Sequence, residues 1–436
     1  MESELVIELA PRPSLHPFYT CGDIVKGSVI FQRPTHARTT DVSIKFTGIA
    51  KSEIVLQGNS HHQKCHSSEV LLFSYTQELV NTKWSDGRKT FSWPFEFTFP
   101  SGTQSTPSKE RFSRDENFYR DPDHSLPPTW MEGSGPEEAS YGCVSYHLEA
   151  TTANGAIKPS SRKHQITVPF AHVREVEEYH PILSPINWPL SRSSHLLDPN
   201  FHSHEHTIGG HVMALHVPTS HFDVHIELPE IMCAGDKIPM FIEVSHDFSR
   251  TTAPVIPTIF LKRFHITLET HTQVRAPAGF LHLGQEPQDS WSETSTVADG
   301  GALHLPLSQR IDVYEFIEKL SISDELTPTF RTFNVARYYV IRFKVEVECA
   351  QKCYELDKER KLFLLPAVYQ PSSVTPRSIP QARAVVSPID DAPPPYEEVE
   401  TSTRGPSGGH LPSFNPAGMG IGVSTPFSTS GIGAAF

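Results

Sequence analysis

Positive charge is in short supply in this chain. Its 37 Lys and Arg residues are outnumbered by 50 Asp and Glu, for a formal net charge of −13. That argues against a nucleic-acid-binding surface, which needs clustered cations. Long apolar runs are missing too: none approaches the ~20 residues that cross a bilayer as a helix, so no transmembrane helix is expected. The opening MESELVIELA carries acids and no basic stretch, unlike a secretory signal, whose apolar core follows a cationic segment. Cysteine is sparse, with Cys21, Cys65, Cys143, Cys233, Cys349 and Cys353 scattered at no dense spacing. The expectation is reduced thiols in a cytoplasmic protein rather than a disulfide framework. Also lacking are a Gly-rich phosphate loop, a GxSxG elbow and an HExxH helix, so the enzyme classes those motifs signal have no support.

What the chain does have is two-fold periodicity. In FSWPFEFTF (91–99) every second residue is aromatic, and in IRFKVEVE (341–348) apolar and charged residues alternate. Val42/Ile44/Phe46, Val144/Tyr146/Leu148 and Phe264/Ile266/Leu268 follow the same rule. Alternation puts one face of a strand on a core and the other in water, as in antiparallel sandwiches. One short helix is expected, where Val313, Phe316, Ile317 and Leu320 fit a 3.6-residue period. The body reads as all-β.

The pattern occurs twice. CGDIVKGSVIF (21–31) and DVSIKFTGIAKSEIV (41–55) are matched by AGDKIPMFIEV (234–244) and PTIFLKRFHITLETHTQV (257–274). Further on, LPPTW (126–130), GCVSYHLEATT (142–152) and KHQITVPF (163–170) are matched by LTPTF (326–330), ARYYVIRFKVEVE (336–348) and RKLFLLP (360–366). Two related immunoglobulin-type sandwiches are therefore expected, over residues 1–174 and 211–366. Residues 175–210, polar and rich in Pro and His, read as a linker. Residues 102–125 read as a long surface insertion in the first sandwich. Beyond residue 366 the chain has no Lys and many Pro, Ser, Gly and Thr. Such a segment buries too little apolar area to offset its ordering entropy, so residues 367–436 are expected to be a disordered tail.

This order of motifs resembles the N- and C-terminal domains of arrestins. With Pro393-Pro394-Pro395-Tyr396 beyond them, the chain resembles an α-arrestin, one of the arrestin-related trafficking adaptors common in fungi. The resemblance covers residues 1–366 and the tetrapeptide, and the 102–125 insertion departs from the compact family pattern. It implies an adaptor, without cofactor or catalysis, that brings a WW-domain HECT-type ubiquitin ligase to plasma-membrane transporters or receptors, whose ubiquitination and endocytosis follow. It also implies a cytoplasmic protein recruited to the plasma membrane and endosomes through its cargo. An alternative is a sorting scaffold of the retromer-subunit kind, which uses an arrestin-like double sandwich without ubiquitin and has no need of PPxY.

The tetrapeptide has its own physical logic. Consecutive prolines favour the polyproline II helix, which lowers the entropy lost on docking in an aromatic groove. Pro393 and Pro394 supply ring surface, Pro395 is the tolerant position, and the Tyr396 ring fixes register. Tyr396 to Val399 also fits the YxxΦ pattern read by clathrin adaptors, although one ring cannot fill both pockets. Thr375, Ser387 and Thr425 each precede proline and are candidate phosphorylation sites. His61, His62, Cys65 and His66, and likewise His202, His204, His206 and His211, cluster without the spacing of a zinc module, and read as solvated loop residues.

Overall fold

The computed structural model describes residues 4–12, 17–32, 40–57, 63–80, 90–104, 112, 115–134, 140–154, 162–172, 181–200, 207–208, 211–212, 217–277, 286–307, 310–316 and 320–367. Among them the regular structure is strand throughout, apart from two single 3-10 turns.

The first half contributes β1 (Leu5–Leu9), β2 (Ile24–Gln32), β3 (Thr40–Gln57), β4 (Gln63–Val80), β5 (Thr90–Thr98), β6 (Trp130–Gly133), β7 (Tyr141–Asn154) and β8 (Arg162–Thr167). β1, β2 and β5 form one antiparallel sheet. The other has the order β4-β3-β7-β6, with β8 also on β7. Alternation sets which face turns inward: β3 buries Val42, Ile44, Phe46, Ala50 and Ile54, and β7 buries Val144, Tyr146, Leu148 and Ala150. Phe46 of β3 meets Phe97 of β5 at 5.7 Å and Phe99 at 4.9 Å, so the sheets are two layers over one core. Phe73, Tyr146 and Phe170 complete an aromatic cluster there. Burying each such ring stabilises the fold by roughly 1.5–3 kcal/mol.

The second half contributes β9 (Ile182–Ser193), β10 (Thr207–Ile208), β11 (His211–Val212), β12 (Thr219–Cys233), β13 (Phe241–His246), β14 (Ile259–Arg275), β15 (Gln288–Gly300), β16 (Leu305–Pro306), β17 (Ile311–Asp312), β18 (Phe330–Arg331), β19 (Val335–Cys349) and β20 (Lys352–Leu365). One sheet path runs β15-β14-β19-β20-β12-β13-β17, and β9 lies along the other edge of β12. The path turns where β20 pairs in parallel with the end of β12. Its two arms enclose a second core: Trp188 of β9 meets Phe343 of β19 edge-on at 5.8 Å, and Phe222 of β12 meets Tyr354 of β20 at 6.0 Å.

The internal repeat extends to individual hydrogen bonds. The Asp23 amide donates to the Thr20 carbonyl (3.1 Å), and that of Asp236 to Cys233 (3.2 Å). Each turn has its glycine at positive φ, Gly22 at +83° and Gly235 at +86°, as a type II turn requires. Gly22 and Asp23 exchange backbone bonds with Phe99, and Gly235 and Asp236 with Ile322. Thr129 bonds Phe170 through both its amide and its hydroxyl, and Thr329 does the same with Leu364. The Tyr146 hydroxyl donates to the Pro127 carbonyl at 2.6 Å, and that of Tyr339 to Thr327. The parallel Tyr19–Phe170 bridge has its match in Met232–Leu364. Nine positions in each half thus hold the same bonds, and only the Gly, Asp, Thr and Tyr among them keep the same side chain.

Three expectations change. Residues 182–193 are not linker: they form β9, whose Ile186, Trp188 and Leu190 pack on the second core. Pro185 and Pro189 are accommodated because, among the described strands, β9 pairs only with β12, so their missing N–H groups fall on an edge strand. The expected helix is a 3-10 turn, Val313–Phe316, with Phe316 exposed; Ile317 lies outside the described residues. Leu320 is buried outside any helix, its carbonyl accepting from the Ile238 amide. The 102–125 insertion is more than a surface loop, since it buries Thr103, Phe118 and His124.

Candidate functional site

Pro393, Pro394, Pro395 and Tyr396, with Thr375, Ser387 and Thr425, lie outside the described residues. So do His61, His62, His202, His204 and His206, while Cys65 and His66 fall in β4 and His211 in β11. Among the described residues no group of three or more His, Cys, Asp or Glu is placed to hold a metal ion. Cys349 is a buried packing residue, its thiol pushed up to about 11 by burial first, whereas Cys353 is exposed.

What the structure does assemble is a polar junction between the two halves, which lie in one compact unit, Met1–Gln381. Its centre is the loop joining β18 to β19. Asn334, fully buried, points its side-chain amide into the first half, donating to the Ala50 carbonyl (3.1 Å), the Ser52 hydroxyl (3.3 Å) and the Ser68 carbonyl (3.4 Å). The Ser52 hydroxyl donates to the Arg275 carbonyl at 2.7 Å. A buried amide without partners is costly, and here both halves are needed to supply them.

The second group is Arg275, at the end of β14 and 1% exposed. Its Nε donates to the Phe333 carbonyl (2.6 Å) and its Nη1 lies 3.7 Å from Glu286. The guanidinium faces the rings of Phe112 (4.6 Å) and Phe118 (4.3 Å), both from the insertion. Burial lowers the Arg275 pKa from its ordinary value, while Glu286 and then Asp115 work against that shift. Paired carboxylate and ring faces are what a buried cation requires.

The third group centres on Glu132 of β6, which reaches two strands of the second half. One carboxylate oxygen accepts from the Trp291 indole N–H (3.1 Å) and the other pairs with Arg337. Arg337 also donates to the Thr272 hydroxyl (3.0 Å) and lies over the Trp130 ring at 5.5 Å. Trp130 in turn meets Phe330 edge-on at 5.3 Å.

The insertion closes over this junction as a strap. The Tyr119 amide donates to the Thr332 carbonyl (3.0 Å), and Arg331 donates to the Glu116 carbonyl (3.0 Å). Nothing local in the sequence marks Arg275, Asn334, Glu132 or Arg337. The one local signal was Phe112, Phe118 and Tyr119, aromatics standing among charged residues where a solvated loop has no use for them. The arrangement fixes two cores in register through groups that neither half satisfies alone. No known protein-family model matches the chain, and no curated protein is significantly similar to it.

Proposed function

We propose that this protein is an adaptor of the α-arrestin kind, in which two tandem sandwiches select a membrane cargo and a disordered tail recruits a WW-domain HECT-type ubiquitin ligase to it. The observation that carries the reading is Pro393-Pro394-Pro395-Tyr396, set in a segment whose composition cannot support a core and appended to an all-β body. The repeated turns and corners support a tandem pair of related units. No helix among the described residues is long and apolar enough to cross a membrane. On this reading the protein meets the plasma membrane and endosomes through its cargo.

Single-motif docking of this type is weak, near micromolar, or roughly 8 kcal/mol. Thirty residues separate positions 366 and 396, a reach of about 30 Å for a flexible chain. A ligase on that leash has a high effective concentration at whatever the body holds. Phosphate on Thr375 or Ser387 would add charge beside the motif, and Thr425 lies further along the same tail.

The test is titration of isolated WW domains against the full chain, read together with cargo ubiquitination. Tyr396→Ala should abolish binding, Pro394→Ala should weaken it, and Pro395→Ala should be nearly silent. Phosphate on Tyr396 should also block binding, because a dianion would have to enter an apolar pocket. Equal binding by wild type and Tyr396→Ala overturns the ligase reading and leaves the ubiquitin-independent scaffold of the retromer-subunit kind.

A further inference from the structure

The strap closes on a buried histidine. His124 is buried, its ring stacked on Tyr119 at 4.2 Å within the strap and set against Phe333 of the second half at 5.3 Å. Nδ1 lies 3.1 Å from the Ser125 carbonyl, so the geometry assigns the neutral tautomer with its proton there. Nε2 is buried, and no described residue offers it a hydrogen bond. As a neutral lone pair it forgoes one accepted bond. Once protonated it becomes a buried donor with nothing to receive it, on a ring that now carries a charge.

The residues around this ring anchor the strap within the first half and fasten it to the second. The His124 carbonyl accepts from the Thr103 amide, and the Tyr119 amide holds Thr332. Phe333, which covers the ring, gives its carbonyl to Arg275. We propose that the strap is a proton-operated clasp: with His124 neutral, residues 115–124 grip Thr332 and Phe333, and protonation of the ring releases them and frees the junction.

The surrounding charges are mixed. Within the strap, Asp123 and the Ser125 carbonyl favour the proton, but burial outweighs them and lowers the His124 pKa below its ordinary 6.5. Asp115 and Arg120 of the strap act on Arg275, which pairs with Glu286 of its own half. Stacking on Tyr119 gives a cation some attraction without supplying an acceptor for Nε2. Because the folded pKa is depressed, the clasp is fully closed above the unfolded value and weakens as pH falls through the folded one. His172, also held low by burial, has its Nε2 on the Leu126 carbonyl and so already has a place for a proton.

The test is hydrogen–deuterium exchange on the full chain at about pH 7.5 and about pH 5.5, which bracket ordinary histidine titration, corrected for intrinsic exchange. Peptides covering 115–124 and 327–335 should gain exchange several-fold on acidification and recover on return, while β3 and β7 stay protected. His124→Phe keeps an aromatic ring in the slot but cannot titrate, and should remain closed at both pH values; His124→Gln serves as a second non-titrating variant. The proposal is overturned if the wild-type strap is equally protected at both pH values, if it opens only together with β3 and β7, or if His124→Phe opens as wild type does. Should both variants be open already at neutral pH, the wild-type profile alone decides.

Discussion

Arg275 shows what one buried charge demands of its neighbours. Its guanidinium has a carboxylate and a carbonyl of the second half and two ring faces of the strap around it. Removing one member of a buried pair leaves the other charged and unpaired, which costs far more than the pair contributes to stability. Arg275→Ala should therefore destabilise the protein by about 3–5 kcal/mol in denaturant unfolding. Arg275→Met combined with Glu286→Leu should recover most of that loss, since apolar groups of similar volume need no partners. A loss under about 1 kcal/mol for the single change would show the junction to be more hydrated than its geometry implies. Nothing in the sequence distinguished Arg275 from the exposed charges along β14, because an ion's worth depends on what the distant chain brings to it.

At the scale of elements, most strands were legible and their partners were not. Alternation at residues 42–46, 91–99, 144–148, 264–268 and 341–347 gave both the strand and its buried face, because a period of two leaves no other way to shelter every second residue. β9 was missed although Ile186, Trp188 and Leu190 alternate in the same manner; the surrounding Pro and His content suggested a linker, and only an edge position reconciles the two. The helix expected from Val313, Phe316, Ile317 and Leu320 was misread because a short apolar spacing fits a single tight turn equally well. The candidate site was legible only as far as the tetrapeptide, whose chemistry is local; the junction depends on pairs such as Ser52 and Asn334, 282 residues apart. If β9 belongs to the second core, Trp188→Ala should cost about 2–3 kcal/mol for a half-buried ring that loses Phe343. Limited proteolysis of wild type should spare 182–193 and begin to cut there in the variant. Cutting at 182–193 in the wild type would return that segment to the linker first expected.

For the whole molecule, recruitment and selection on the proposed reading are separable, because a segment of the tail's composition offers too little apolar area to stabilise the body. Deleting residues 367–436 should leave the melting temperature nearly unchanged, as scanning calorimetry would measure; a drop of many degrees would mean that the tail docks on the body and is no leash. The place where that tail begins has one more consequence. The end of β20 is an interior position: Phe363, Leu364 and Leu365 pair in parallel with Ile231, Met232 and Cys233, while the strand behind them is zipped antiparallel to β19. The Thr329 hydroxyl and the Ala234 amide tie it further. Tension applied at residue 366 along the strand axis therefore loads these hydrogen bonds side by side, in shear, instead of peeling them one at a time. A body built this way can be towed by its own C-terminal segment without its last strand being stripped from the sheet.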